Sequence, residues 1–175
     1  VPSLDTKRLL EKKSHKYHSQ LEGSRGQKYL EARGISSWAQ NYFPLGFVDQ
    51  SDPEDNHLKG RVSIPYILRT GVVGIKYRSI ENNDPRYLYN AGMYGKRIFN
   101  PLALLSYTRK IYICEGEIDC ITISQLGIPA IALPGVDTFE PRMSRALRNR
   151  HVVVLADDDD AGQGKKFGNK ILTSV

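Results

Sequence analysis

Two groups of carboxylates in this 175-residue chain have the types and spacing to do chemistry. Glu115, Glu117 and Asp119 follow the apolar run Ile111-Tyr112-Ile113-Cys114, and Asp157-Asp158-Asp159-Asp160 follow Val152-Val153-Val154-Leu155-Ala156. Carboxylates crowded together repel, and the crowd is stable mainly when a divalent cation neutralises it. Oxygen donors without histidine or cysteine favour Mg²⁺ or Mn²⁺ over zinc. An acidic residue after a strand also caps the next helix and meets its N-terminal dipole. One such group alone fits that reading equally well, whereas two at the ends of two βα units favour a shared site. The Asp run is not an EF-hand loop, because Ala161 stands where that loop needs Asp or Asn and no Glu follows at the required distance. Gln163-Gly164-Lys165 lacks a complete P-loop. Cys114 and Cys120, the only cysteines, match no zinc ligand set, so no zinc is expected.

The elements that must position these groups begin at Pro101, where helix and strand alternate. Pro101 to Leu105 starts a helix, and Ile111 to Cys114 is a buried-strand candidate. Ile118, Ile121, Thr122 and Leu126 form a helical stripe ended by Gly127. Ala130 to Leu133 is a second strand, Met143, Ala146 and Leu147 mark a helix, Val152 to Ala156 is a third strand, and a last helix runs from about Gly164 to Leu172. Apolar strands separated by helices predict a parallel sheet covered on both faces. In such a sheet the carboxyl ends of the strands line the ligand crevice. The two acidic groups are therefore expected to face one another.

Upstream the chain reads differently. Leu4, Leu9 and Leu10 sit among Lys7, Arg8, Lys12, Lys13 and Lys16, predicting a basic helix. Ser24 caps a second helix with Tyr29 and Leu30 on its apolar face, stopped by Gly34, and Ser36-Ser37 opens a third turn around Trp38. The polar stretch 49–56 reads as a surface loop. Val62, Ile64, Tyr66 and Leu68 alternate as in a strand, Thr70-Gly71 supplies a turn, and Val72-Val73, Ile75, Tyr77 and Ile80 form its partner. Residues 81–98, rich in Asn, Gly and Tyr, read as an irregular hairpin or loop. This predicts an α/β chain: a basic α+β subdomain over 1–100, then a parallel sheet with flanking helices over 101–175. Lys and Arg number 25 against 19 Asp and Glu, a formal charge of +6 that suits a polyanionic partner. No apolar run approaches the length of a membrane span, and the N-terminal residues show no signal-peptide core. A cytoplasmic location is the expectation.

The strings YICEGEID and VVVLADDDDAG resemble the two motifs of the Toprim domain, a compact parallel fold shared by DnaG-type primases, topoisomerases and some nucleases. Glu115 matches the Glu of the first motif. Asp157 and Asp159 match the Asp-x-Asp of the second, since only that register places Gly162 correctly. Upstream, KYLEARGISSWAQNYFPLGFV, GRVSIPYILRTGVVGIKYRSI and PRYLYNAGMYGKRIFNPLALL resemble successive segments of DnaG-type primases, so the likeness runs over about residues 25–172. The resemblance implies a primase catalytic core that makes short RNA primers on single-stranded DNA by metal-dependent nucleotidyl transfer from ribonucleoside triphosphates. Glu115, Asp157 and Asp159 would be catalytic and hold Mg²⁺ or Mn²⁺, with Asp119 one helical turn beyond Glu115 sharing the metal. Arg61, Lys76, Arg78, Arg86, Tyr87, Asn90 and Lys96 would meet nucleotide and template, although Asn90 sits one place late and Arg86 stands where the family usually has Lys. Lys165 and Lys166 read as a solvated helix face.

The zinc-binding module that usually precedes such cores, and the last Toprim strand, further acidic motif and helical subdomain that follow, are not in the sequence. A phage-encoded split or truncated primase is therefore expected, with a replicative helicase and a downstream primase segment or subunit as partners. The competing readings are a Toprim nuclease or topoisomerase-like phosphodiester enzyme and a non-catalytic Toprim DNA-binding module.

Overall fold

The structure is a computed structural model that describes residues 2–81, 84–90, 97–133, 139, 143–156 and 162–173. The chain divides into two compact units, Val1–Met93 and Tyr94–Val175.

The first unit opens with helix α1, Leu4–His18, started by Ser3, whose hydroxyl accepts from the Thr6 amide. Asp5 in its first turn and His15, Lys16 and His18 in its last complement the helix dipole. Leu10, Ser14 and Tyr17 form the buried stripe, while Leu4 and Leu9 remain exposed. Helices α2, Arg25–Ala32, and α3, Ser37–Tyr42, are capped the same way by Ser24 and Ser36. Strands β1 (Gly46–Phe47), β2 (Arg61–Leu68), β3 (Gly71–Ser79) and β4 (Tyr87–Tyr89) form one antiparallel sheet in that order. Helix α1 packs on the sheet through an edge-to-face contact of Tyr17 with Tyr77, ring centroids 6.1 Å apart, within a cluster of Leu10, Val48, Leu58, Val72 and Ile75. Gly46 makes this approach possible: a Cβ there would stand 2.5 Å from the backbone carbonyl carbon of Tyr17.

Two loop readings change here, and one strand is more deeply buried than its sequence suggests. The strand expected from the alternation of Val62, Ile64, Tyr66 and Leu68 is present as β2, and its intervening residues are buried too: Arg61 to Tyr66 are all buried, so both faces of the hairpin are covered. The stretch read as a surface loop contains a 3₁₀ helix, Pro53–Leu58, which turns Asp55 inward. There the Tyr17 hydroxyl donates to Asp55 at 2.8 Å and the Lys13 ammonium pairs with the same oxygen at 2.6 Å. Burial, then the bond to Asp55, holds the Tyr17 phenol well above its ordinary pKa, and burial does the same to Tyr77. Finally, the segment read as an irregular hairpin contains strand β4.

In the second unit a 3₁₀ turn, Pro101–Leu105, precedes β5 (Lys110–Cys114), α4 (Glu117–Ser124), β6 (Ala130–Ala132), α5 (Ser144–Leu147), β7 (His151–Leu155) and α6 (Gln163–Leu172). The strands form a parallel sheet in the order β6-β5-β7. Ile111 and Ile113 of β5 pack with Ile131, Leu133, Leu147, Phe167 and Ile171. The predicted βα rhythm holds, with two adjustments. Helix α4 stops at Ser124, leaving Leu126 exposed, and β7 is only half-buried because it is an edge strand of the described sheet. Among the described residues no helix is long and apolar enough to cross a membrane.

Candidate functional site

Each unit contributes its own constellation. In the second unit β5 lies at the centre of the described sheet and runs directly into Glu115, which is half-buried. Its parallel neighbour β7 pairs Leu155 with Cys114, so the two strands end level. Asp157 and Asp159 follow Leu155 by two and four places in sequence and lie outside the described residues. Gly116 is the N-cap of α4, and Asp119 occupies the third position of that helix, exposed to solvent. The Asp119 carboxylate folds back over the turn, with Oδ2 2.5 Å from where a Gly116 Cβ would stand. This is the capping position from which an acidic side chain meets the free amides of a helix start. The buried carboxylate of the turn is instead Glu117, only 3% exposed.

The cysteines flanking this turn are buried. Cys120 donates its thiol to the Ala130 carbonyl at 3.3 Å, and burial pushes its pKa up. A thiol held protonated is the reverse of what a metal ligand requires. The side chains that follow the strand are carboxylates, hard oxygen groups of the kind that suit Mg²⁺ or Mn²⁺. Among the described residues no three His, Cys, Asp or Glu side chains gather into a metal-binding group.

In the first unit the β3–β4 register sets Lys76 opposite Tyr89 and Arg78 opposite Tyr87. Cross-strand partners share a face of the sheet, so two cations and two phenols line up together. Arg78 donates through Nε to the Tyr29 hydroxyl and through Nη1 to the Tyr87 hydroxyl, bridging α2 to β4. Its guanidinium also lies 5.3 Å from the Tyr87 ring centroid, and the Lys76 ammonium sits 4.1 Å from it. Lys76 is 4% exposed and Arg78 7%, so these are not solvated strand positions. Aromatic faces and phenol oxygens replace part of the water they have lost. Arg86 lies 5.9 Å over Tyr87, and Arg33 lies 4.9 Å over Tyr29, one helical turn earlier on the same face. Rings interleaved with cations suit a single strand, since every base has a face to stack and every phosphate a charge to meet.

Two other anticipated residues serve the backbone. Arg61 donates through Nη1 to the Pro85 carbonyl at 2.9 Å, and burial lowers its pKa from the usual value. Asn90 accepts the Ile75 amide on its side-chain oxygen at 2.6 Å, pinning the exit of β4 to β3. Lys96 lies outside the described residues. Lys165 and Lys166 are exposed on α6. The sequence reading missed Tyr29 and Arg33. Their spacing of four on a helix is the signal that was available, but the bond from Tyr29 to Arg78, 49 residues away, was not.

Comparison with known proteins agrees with this fold. The Toprim-like family matches residues 112–173. The Gene 57 protein of Mycobacterium phage D29 is 36% identical over 110 residues, covering 59% of this chain and 72% of that protein. Among solved structures, the E. coli primase catalytic core superposes with a TM-score of 0.75 at 22% identity, covering 97% of this chain and 67% of that one. The Aquifex aeolicus primase, comprising zinc-binding and RNA polymerase domains, gives a TM-score of 0.79 at 21% identity over 99% of this chain and 54% of that one. The RNA polymerase domain of Mycobacterium tuberculosis DnaG, solved with a double-stranded DNA bearing a 6-nucleotide overhang, gives 0.70 at 18% identity over 91% of this chain and 66% of that one. The chain thus spans about half to two thirds of these primase chains. It belongs to the Toprim-like family, shares a family with the phage Gene 57 protein, and has the fold of DnaG-type primase catalytic cores.

Proposed function

We propose that this chain carries the catalytic core of a DnaG-type DNA primase, a nucleotidyltransferase that builds short RNA primers on single-stranded DNA from ribonucleoside triphosphates. The observation that carries the reading is the level ending of β5 and β7, with Glu115 straight after one strand and the Asp157-x-Asp159 motif close after the other in sequence. In this reading Glu115, Asp157 and Asp159 hold Mg²⁺ or Mn²⁺, and Asp119 supports them from the first turn of α4. A cation held there lowers the pKa of a primer 3′-hydroxyl and offsets charge on the attacked phosphate. Tyr29, Tyr87 and Tyr89 stack template bases, while Arg33, Arg78 and Arg86 meet template or nucleotide phosphates, with Lys96 assigned the same task from its sequence position. Lys76 keeps the tyrosines in place from beneath, and Arg61 and Asn90 hold the two ends of β4. Relatives of the same fold lend support: the M. tuberculosis domain was solved with DNA, and the phage relative suits a role in phage replication. A replicative helicase and a downstream primase segment are the partners this reading expects.

The test is incubation with a single-stranded template, Mg²⁺ or Mn²⁺, and labelled ribonucleotides. Short RNA products are the expected outcome. Shortened template in their place would make the chain a nuclease, and binding without either product would make it a non-catalytic module.

A further inference from the structure

A cavity of about 300 Å³ lies at the end of the β2–β3 ladder, walled by Arg25, His57, Lys59, Arg61, Ser79 and Glu81. It is separate from the cation–tyrosine face. Arg61 and Ser79 are cross-strand partners, and Val62 and Arg78 are the next pair along. Side chains alternate along a strand, so Arg61 and Ser79 point to the face opposite Arg78. Neither Tyr29, Lys76, Arg78 nor Tyr87 is among the cavity walls.

The walls are chemically one-sided. Arg25, Lys59 and Arg61 bring three permanent cations against the single carboxylate Glu81, which pairs with Arg25 at 2.9 Å across exposed side chains. Among the described residues no aliphatic side chain lines the cavity and its one ring is the His57 imidazole, so the walls favour an anion over an apolar group. The geometry points to a second anion site, one that takes a terminal phosphate group, either of a free nucleotide or of a nucleic-acid 5′ end. A terminal phosphate carries about two negative charges at neutral pH, the same as the surplus of the walls. An internal phosphodiester carries a single charge and matches that surplus less well. Arg61 links the site to the rest of the unit, because its guanidinium also donates to the Pro85 carbonyl just before β4. A phosphate drawing on Arg61 therefore acts on the entry to the strand that carries Tyr87 and Tyr89.

The test uses the whole chain and follows the His57 side chain by NMR, with inorganic phosphate as first probe. We expect a saturable shift of the His57 signals. Lys59→Glu should weaken phosphate binding about tenfold, and Glu81→Gln should tighten it about threefold by removing the competing carboxylate. The gain in Glu81→Gln keeps the test decisive if Lys59→Glu fails to fold. Two further arms separate the sources: a nucleoside monophosphate, and a pair of tetranucleotides with and without a 5′-phosphate. Tighter binding of the monophosphate than of inorganic phosphate assigns the site to nucleotides. A preference for the 5′-phosphorylated tetranucleotide that vanishes in Lys59→Glu assigns it to nucleic-acid ends. His57 signals that do not move with phosphate, or move equally in Lys59→Glu, would overturn the site. Primer synthesis enters none of these readouts, so failure of the pocket and failure of the primase reading are distinguishable.

Discussion

The two units treat charge in opposite ways. The first buries cations along the face of an antiparallel sheet, where Lys76 and Arg78 lie against tyrosines at alternate paired positions of β3 and β4. The second sets carboxylates where parallel strands end, Glu115 straight after β5 and beside the end of β7. Antiparallel pairing repeats a side-chain pattern along a line, which suits contact with an extended polymer. Parallel strands point their carboxyl ends at one place, which suits a reaction at a single atom. In the proposed function holding and reacting fall to different sheets, and variants in each should fail in different ways.

The largest effect belongs to the strand-end carboxylates. Glu115→Gln, Asp157→Asn and Asp159→Asn should each lower primer synthesis by about a hundredfold or more, because each removes a charge that would hold the metal. Circular dichroism and the melting temperature should stay close to wild type, since Glu115 follows the strand and packs no core. Wild-type rates in all three would end the metal-site assignment.

How much of this was legible in the sequence follows from the range of the forces involved. The parallel unit could be read because its strands are short apolar runs broken by helical stripes, and because a Glu or Asp straight after such a run has few other places to be. Leu126 was misjudged since the stripe runs two residues past Ser124, where α4 ends. Strand β4 was missed because Tyr-Leu-Tyr is three residues long and is framed by Pro, Asn and Gly, which signal loops. The same omission hid the burial of Lys76 and Arg78: a charged residue on a strand reads as solvated until the tyrosines that cover it are placed. Asp55 is a like case, for nothing within the polar stretch 49–56 announces Lys13 and Tyr17 some forty residues upstream.

The next largest effect sharpens the account of the first unit. Asp55→Ala leaves the Lys13 ammonium and the Tyr17 hydroxyl largely buried without their acceptor, and should cost about 2–4 kcal/mol in denaturant unfolding. A cost below about 0.5 kcal/mol would show that water takes over the lost bonds.

Arg78→Ala should weaken single-strand binding and lower its salt dependence by about 0.7 counterions. Arg78→Lys should not restore affinity, because an ammonium cannot bridge Tyr29 and Tyr87 as the guanidinium does. An unchanged salt slope would return Arg78 to a purely structural role.

Alkali gives a smaller and more gradual test. Tyr17 and Tyr77 have folded pKa values raised above the ordinary value near 10. Below about pH 10 both states hold the phenol protons and this stability is fully present; above it the unfolded chain ionises first and stability is lost. Unfolding at pH 8 and pH 11 should show the drop. The smallest effect is Tyr77→Phe, which removes a buried hydroxyl with no hydrogen-bond partner among the described residues and should leave stability at neutral pH unchanged or slightly raised while flattening the alkaline loss.

The division of labour between the sheets is tested most directly by steady-state primer synthesis as a function of template concentration, run side by side for the wild type, Glu115→Gln and Arg78→Ala. The account predicts that Glu115→Gln lowers kcat by about a hundredfold or more with the template KM little changed, whereas Arg78→Ala raises the template KM with the smaller loss in kcat. The reverse pattern, or a Glu115→Gln protein that turns over at the wild-type rate, would contradict it.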